Sequence, residues 1–286
     1  MLSIDPKEIS TSKLHGYLLG AVAPRPIAFA STMDANGNPN LSPFSFFNVF
    51  GANPPILIFS PARRVRDNTT KHTLENALAT KEVVINMVNY DIVQQMSLSS
   101  TEYPAGVNEF DKAGFTMLAS ENIKPFRVAE SPVQFECKVT DVIGTGTEGG
   151  AGNLIVCEVV KMHISEAVLD ADGAIDQHKI DLVARAGGSY YSRARAGFFE
   201  ISKPSSTLGI GVDAIPEDIR NSAILTGNNL GMLGNVAQLP DMVAVDNFAK
   251  EHPKFIGLET VKKHTFAKEF LNKKEVESAW KVLLIK

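Results

Sequence analysis

The stretch "NLSPFSFFNVFGANPP", Asn40 to Pro55, decides how this chain is read. It carries four phenylalanines within seven positions, Phe44, Phe46, Phe47 and Phe50, sets Ser42, Ser45 and Asn48 among them, and brackets the run with prolines. A plain core strand does not need that polar interruption. Upstream, "IAFASTM" (Ile27 to Met33) is β-like, and the "DANGNPN" that follows contains Asn36-Gly37, a hairpin-turn signal. The Phe-rich segment is therefore the returning strand of a hairpin. Downstream, "PILIFS" (Pro55 to Ser60) shows no polar alternation and reads as a fully buried strand.

Further along, "TTKHTLENALATK" spaces Leu74, Ala77 and Leu78 as a helix does, with Asn68, Thr69 or Thr70 as candidate N-caps. "EVVINMV" returns to strand, and "YDIVQQMSLSS" predicts a short helix with Ile92, Val93 and Met96 on one face. Two long β-rich runs, "SPVQFECKVTDVIGTG" and "NLIVCEVVKMHISEAVL", are joined by a Gly-rich link. Five or more strands with few helices between them predict an antiparallel barrel rather than a doubly wound sheet. From about Glu200 the composition shifts to Gly and Asn, and the last forty residues read as helical. The expected division is a barrel domain over residues 1–200 and a mostly helical extension over 201–286, packed on the barrel or on a dimer partner.

Composition narrows the function. The chain has 286 residues, enough to bury a sizeable core, and 44% hydrophobic with 21% charged residues is ordinary for a folded protein. A formal net charge of −4 argues against a nucleic-acid binder held by a basic surface. The first ten residues lack the basic region and apolar run of an export signal, and no stretch approaches the roughly 20 apolar residues of a membrane span. Cys137 and Cys157 lie in strand-like segments without CxxC spacing, which favours free buried thiols in a reducing cytoplasm.

Most short motifs in the chain have a structural explanation. Gly144, Gly146 and Gly149 match GxGxxG, but a strand follows where a dinucleotide site needs a helix N-terminus, so a hairpin loop is expected. There is no GxSxG nucleophile elbow and no HExxH. The six histidines are not spaced as metal ligands, and "LDADGAID" lacks the spacing of a calcium loop and reads as a tight turn. No metal is expected, and no catalytic residue is identified.

"SPARRVRDNTTKHTLEN" is more informative. Arg63, Arg64 and Arg66 precede a helix N-terminus rich in hydroxyl groups, with Lys71 beside it. Unpaired N–H groups, a partial positive charge and the planar fork of Arg suit one phosphate monoester; a solvated basic turn gives the same pattern. A flat heteroaromatic ring wants an apolar wall with a few polar groups along its rim, and "SPFSFFN" offers both. A core strand with two hydroxyls bonded to nearby backbone would look alike. Phosphate plus flat ring describes flavin mononucleotide.

Taken in order, "PRPIAFAST", "NLSPFSFFNVFGANPP", "LIFSPARR" with "KHTLEN", "VINMV", "GVNEFDKAG" and "ARAGGSYY" resemble the flavin reductase-like, FMN-binding split-barrel family, including its flavoredoxin-type members, over about residues 15 to 200. The resemblance implies a mainly β fold with peripheral helices, a six-stranded antiparallel split β-barrel, and a homodimer. It implies that Ser42, Phe44, Ser45 and Asn48 line the isoalloxazine, largely through backbone groups. Ser60, Arg63, Arg64, Lys71 and Thr73 would surround the phosphate, although many relatives read KDT where this chain has Lys71-His72-Thr73. Asn86 would lie on a strand facing the flavin. Glu102 to Phe110 would form a loop over the site or at the dimer interface, and Arg185, Gly187, Gly188 and Tyr191 would stand near the pocket mouth as substrate-side residues. Arg25 matches the PRP element, where a structural role is favoured over ligand contact.

The chemistry so implied is the cofactor's: an FMN-dependent oxidoreductase moving hydride or electrons from NADH or NADPH to an acceptor. Two alternatives stand beside it: a non-catalytic FMN carrier reduced by a redox partner protein, and a flavin-free barrel used as a scaffold or for another phosphorylated ligand. For the extension, with Asp213 and Arg220 as its first polar residues to test, three roles are open: covering the flavin pocket, clasping the partner subunit, or packing alone.

Overall fold

A computed structural model describes residues 1–104, 106–202 and 208–286. It divides the chain into two compact units, Met1–Phe198 and Phe199–Lys286, so the division falls two residues before the expected 200/201 boundary.

The first unit opens with helix α1 (Thr11–Ala21), capped by Ser10. Strands β1 (Ala28–Met33), β2 (Pro39–Phe44), β3 (Phe47–Ala52) and β4 (Pro55–Phe59) follow, then α2 (His72–Thr80), β5 (Glu82–Met87), α3 (Val93–Leu98) and α4 (Glu109–Ala113). Short strands β6 (Met117–Leu118) and β7 (Arg127–Val128) pair with each other. The long hairpin β8 (Val133–Gly144) and β9 (Asn153–Ile164) comes next, and α5 (Gln177–Ile180) leads into a second small pair, β10 (Val183–Arg185) and β11 (Tyr191–Arg193).

Seven strands form one antiparallel sheet in the order β2-β1-β5-β8-β9-β4-β3. Its two edge strands, β2 and β3, are separated in the chain only by Ser45 and Phe46. Two residues span at most about 10 Å between flanking Cα atoms, so the sheet must curl until its edges nearly meet. This is how the opening stretch decides the fold: one run pairs with β1 through its first half and with β4 through its second. The six strands expected become seven segments because that run breaks where it changes partner.

The barrel interior packs Ala28, Ala30, Phe44, Leu57, Phe59, Val83 and Ile85 with both cysteines, while Leu74 and Ala77 of α2 close it. Both thiols are free and buried, and burial pushes both pKa values up, which makes them inert. The outer face of β1 and β2 is covered as well: Phe29 and Leu41 pack against Ile92, Met96 and Phe110 from the α3–α4 region. By contrast, β4 is not fully buried as expected. Leu57 and Phe59 point inward, and Ile56 and Ile58 are only half-buried on the outer face, so an apolar alternation hid the strand's two-sidedness.

The second unit holds α6 (Glu217–Arg220), α7 (Gly227–Gly234), α8 (Met242–Glu251), α9 (Thr260–Asn272) and α10 (Val276–Leu284). Its core gathers Ile215, Ile219, Leu233, Ala267 and Leu271 around Trp280, whose indole N–H donates to the Leu233 carbonyl at 3.1 Å. The glycines that set this segment apart in the sequence serve a backbone crossing: a Cβ on Gly209 would lie 2.7 Å from the Gly234 carbonyl oxygen. Arg220 donates to the backbone carbonyl of Asp213 at 2.9 Å, an internal tie between the two polar residues singled out above.

Candidate functional site

The basic loop is held by its own residues. Arg64 N–H donates to the Thr69 carbonyl at 3.0 Å and Asn68 N–H to the Arg64 carbonyl at 2.9 Å, with Asn68 in the left-handed region at φ 55°. Arg63 forks onto the side chain and carbonyl of Asn68, both at 2.6 Å. Arg64 donates to Thr69 Oγ1 at 2.9 Å, to the Thr70 carbonyl, and to Glu102 at 3.1 Å. None of the expected N-caps acts as one: α2 starts at His72 with Lys71 as its uncapped N-cap, because Thr69 is bonded to Asp67 and Thr70 to Glu75. The helix therefore presents open N–H groups next to the arginines.

Lys71 is the cation left over. Among the described residues its ammonium makes no hydrogen bond or ion pair, and burial, then the Arg64 charge, push its pKa down against the weaker opposing pull of the Glu102 carboxylate. A half-buried ammonium beside a guanidinium at an uncapped helix start is a donor set that an anion would complete. Sequence reasoning missed the brace beneath this loop. The β8–β9 turn packs against it through Arg63 N–H to Ala151 O (2.8 Å), Gly150 N–H to Arg63 O (3.0 Å) and Asn68 Nδ2 to Thr147 O (3.0 Å). Of the glycines that mimic GxGxxG, Gly149 belongs to this contact, since a Cβ there would sit 3.0 Å from the Arg64 carbonyl.

Two bonds join the loop to the Phe-rich run and a third ties it to β9. Ser60 N–H donates to the Phe46 carbonyl at 2.8 Å, Ser60 Oγ accepts from Asn153 N–H at 3.0 Å, and Thr73 Oγ1 donates to Asn40 Oδ1 at 2.8 Å. Asn40 Nδ2 and Leu41 N–H both donate to the Glu109 carboxylate at 3.0 Å. Burial raises the Glu109 pKa despite these bonds. The Glu102–Phe110 segment, of which Ala105 lies outside the described residues, thus touches the basic loop through Glu102 and β2 through Glu109.

The expected ring-side residues separate. Ser42 is half-buried on the β2 face shared by Asn40 and Phe44, and Phe44 is buried against Phe59 with ring centroids 5.4 Å apart. Ser45 is half-buried at the strand break and accepts from Arg25 Nε at 3.4 Å. Asn48 is exposed, its side-chain oxygen accepting from Val49 N–H at 2.8 Å. Two expected contacts are corrected as far as the side chains go. Asn86 is fully buried on the outer side of β5, with Nδ2 donating to Phe29 O and Oδ1 accepting from Val128 N–H, both at 2.9 Å, so no polar group of its side chain is left for a ligand. Thr73 is buried as well, with its hydroxyl turned to Asn40 rather than to the basic loop.

Arg25 and the "ARAGGSYY" element meet Ser45 from the other side. Arg25 and Arg185 exchange backbone bonds at 2.8 Å in both directions. The buried Arg25 guanidinium donates to the carbonyls of Leu19 (2.7 Å), Val22 and Ala186 (3.2 Å), a clamp on the end of α1. Gly187 packs against the backbone of Gly20, and Gly188, at φ 57°, makes the turn whose carbonyl takes a bond from Arg185 at 2.6 Å. These two glycines shape the element, whereas Arg185 and Tyr191 line a cavity of about 160 Å³ with Phe44 and Ser45. Among the described residues no group of three or more His, Cys, Asp or Glu side chains could hold a metal, and no helix is long and apolar enough to cross a membrane.

A partly closed antiparallel barrel with a cationic loop beside an aromatic strand break defines the flavin reductase class of fold. The chain belongs to the flavin reductase-like family: the family model described as "Flavin reductase like domain" matches residues 20–182. An uncharacterized protein of Aquifex aeolicus (strain VF5) is 38% identical over 188 residues, covering 66% of this chain and 93% of the relative. Among solved structures, nitrilotriacetate monooxygenase component B from Bacillus cereus superposes with a TM-score of 0.65 at 28% identity, covering 71% of this chain and 98% of that one. Flavoredoxin of Desulfovibrio vulgaris (Miyazaki F) shares the fold at a TM-score of 0.55 and 21% identity, over 65% of this chain and 93% of its own.

Proposed function

We propose that this protein is an FMN-dependent oxidoreductase that takes reducing equivalents from NADH or NADPH and passes them to an acceptor. The observation that carries the choice of mononucleotide is the Lys71 ammonium, unpaired among the described residues, beside Arg64 at the open start of α2, a donor set charged for a phosphate group. Arg64, Lys71 and the first N–H groups of α2 would hold that phosphate, and Arg63 would keep the loop in shape. The strand break at Ser45–Phe46, between Ser42 and the Phe47–Asn48 start of β3, would take the ring. Bound flavin supplies the two-electron redox chemistry; the chain's own residues bind it, orient it and limit access of water.

The same reading includes a homodimer and a reducing, cytoplasmic setting. Val49 and Phe50 on β3 are each 64% exposed, an apolar edge that a second copy would cover, and the two free thiols suit a compartment that keeps them reduced.

An anaerobic absorbance spectrum of the purified, FMN-reconstituted protein tests the proposal. Flavin bands that bleach within seconds of adding NADH or NADPH identify a reductase and its donor. Bands that persist with both donors would replace it with an electron carrier awaiting a protein partner, and failure to retain FMN at all would remove the flavin assignment.

A further inference from the structure

Two cavities lie side by side along α3. The first, of about 160 Å³, is lined by Phe44, Ser45, Met96, Ser100, Arg185 and Tyr191 among others. The second, of about 170 Å³, is lined chiefly by Tyr90, Val93, Val183 and Arg193, and the two share Ser97 and Tyr191. Each is smaller than the roughly 300 Å³ at which ligand pockets usually begin, so one ring with one substituent is the scale of guest that either admits.

The β10–β11 register explains the lining. Val183 faces Arg193 and Arg185 faces Tyr191 across the pair, so all four side chains fall on one face of the hairpin. Each arginine is flattened on a tyrosine: the Arg185 guanidinium carbon stands 4.6 Å from the Tyr191 ring centre, and that of Arg193 3.8 Å from Tyr90. Their charges are treated differently. Arg193 is neutralised by a bidentate pair with Asp181 at 2.6 and 2.9 Å, which Arg195 joins at 3.3 Å. Arg185 has no carboxylate among the described residues and donates only to the Gly188 carbonyl. Arg25, equally without a carboxylate, lies close enough for Arg185 to add to the lowering of its pKa that burial begins. The cleft is therefore positive at one end, neutral at the other, and aromatic and apolar between.

We propose that the cavity under Arg185 and Tyr191 binds an aryl carboxylate, its ring between Tyr191 and the Phe44–Met96 wall and its carboxylate on the Arg185 guanidinium, with Ser45 and Ser100 hydroxyls beside it. This deepens the flavin reading by naming the substrate class, and rests on it only for the claim that the guest lies next to the flavin ring. A planar fork over an aromatic face matches a carboxylate in two bonds, a geometry that Lys would not reproduce.

The test compares benzoate with benzamide, its neutral analogue of nearly the same shape, by calorimetric or saturation-transfer titration of the full-length protein. A charge-assisted pair of this kind favours benzoate by about tenfold or more. Arg185→Gln removes that preference and leaves benzamide binding unchanged, and Tyr191→Leu weakens both. Equal binding of the two compounds, binding of neither, or a benzoate preference that survives Arg185→Gln overturns the assignment. Titrations of flavin-free and FMN-loaded samples keep the two proposals apart: benzoate selectivity without flavin retention fails the flavin reading alone, and flavin retention without selectivity fails this one alone.

Discussion

The hydroxyl of Thr73, in the first turn of α2, donates to the side-chain oxygen of Asn40 in β2 at 2.8 Å, and both residues are buried. That bond ties the helix start beside the basic loop to the strand that leads into the Phe-rich break. Asn40 is itself held, since its amide donates to Glu109 and its oxygen also takes a longer bond from Thr32 at 3.4 Å. Thr73→Val keeps the shape and removes the donor. The expected cost is about 1–3 kcal/mol, read as a lower urea midpoint, with Thr73→Ser recovering most of it. An unchanged midpoint in the Val variant would show that the network does not depend on this bond.

Phosphate selectivity should follow Lys71 and Arg64 rather than Arg63. Lys71 is unpaired among the described residues, and Arg64, although bonded to Thr69, Thr70 and Glu102, is the arginine whose charge acts on it, whereas Arg63 turns to Asn68. Lys71→Ala and Arg64→Ala are each expected to weaken FMN about tenfold and riboflavin hardly at all, because only FMN carries the phosphate. Fluorescence titration with both flavins checks this; equal losses would move the phosphate elsewhere.

The barrel was legible in the sequence because its signal is local. Hairpin turns and alternation locate strands, but the run read as one returning strand splits at Ser45–Phe46, where it changes partner. The fate of single polar residues was not legible, since it depends on what packs across the sheet. Asn86 sits in a segment that reads as strand, and only the arrival of Val128 and Phe29 decides that its amide is consumed. The same holds for Gly149: its spacing imitates a nucleotide motif, but its reason is the Arg64 carbonyl 3.0 Å from where a Cβ would be.

Asn86→Leu should separate scaffold from site. It strands the Phe29 carbonyl and the Val128 N–H, each buried, at a cost of about 1–3 kcal/mol per group. Thermal and urea stability should fall, while the folded fraction binds FMN with unaltered affinity and spectrum. A shifted flavin spectrum at full folding would return Asn86 to the pocket.

The helical unit should carry its own acid sensitivity. His264 is buried, with Nδ1 2.7 Å from Ser222 Oγ, and burial lowers its pKa; Asp218 opposes that shift and Lys263 adds to it. A histidine depressed in the folded state favours folding above its ordinary pKa, near 6.5, and loses that contribution as pH falls through the folded value. Trp280, the only tryptophan, lies in this unit and reports it. Its fluorescence-detected melting temperature should drop as pH falls below about 6.5, and His264→Gln should flatten that dependence. A wild-type profile that is flat from pH 7 to 5 would remove His264 as the cause.

Separability of the two units gives the last prediction. The family match ends at residue 182, and the Aquifex aeolicus relative is covered over 93% of its length by an alignment of 188 residues, so a protein of that family does without an addition of this size. The barrel also has its own core, with Phe29, Phe59 and Phe110 fully buried inside Met1–Phe198. Residues 1–198 expressed alone should fold cooperatively and bind FMN with an affinity within a few-fold of the full chain, since every residue assigned to the flavin lies before 198. Circular dichroism and flavin titration decide it. A truncated chain that folds yet loses FMN more than about tenfold would assign the helical unit a direct part in holding the cofactor.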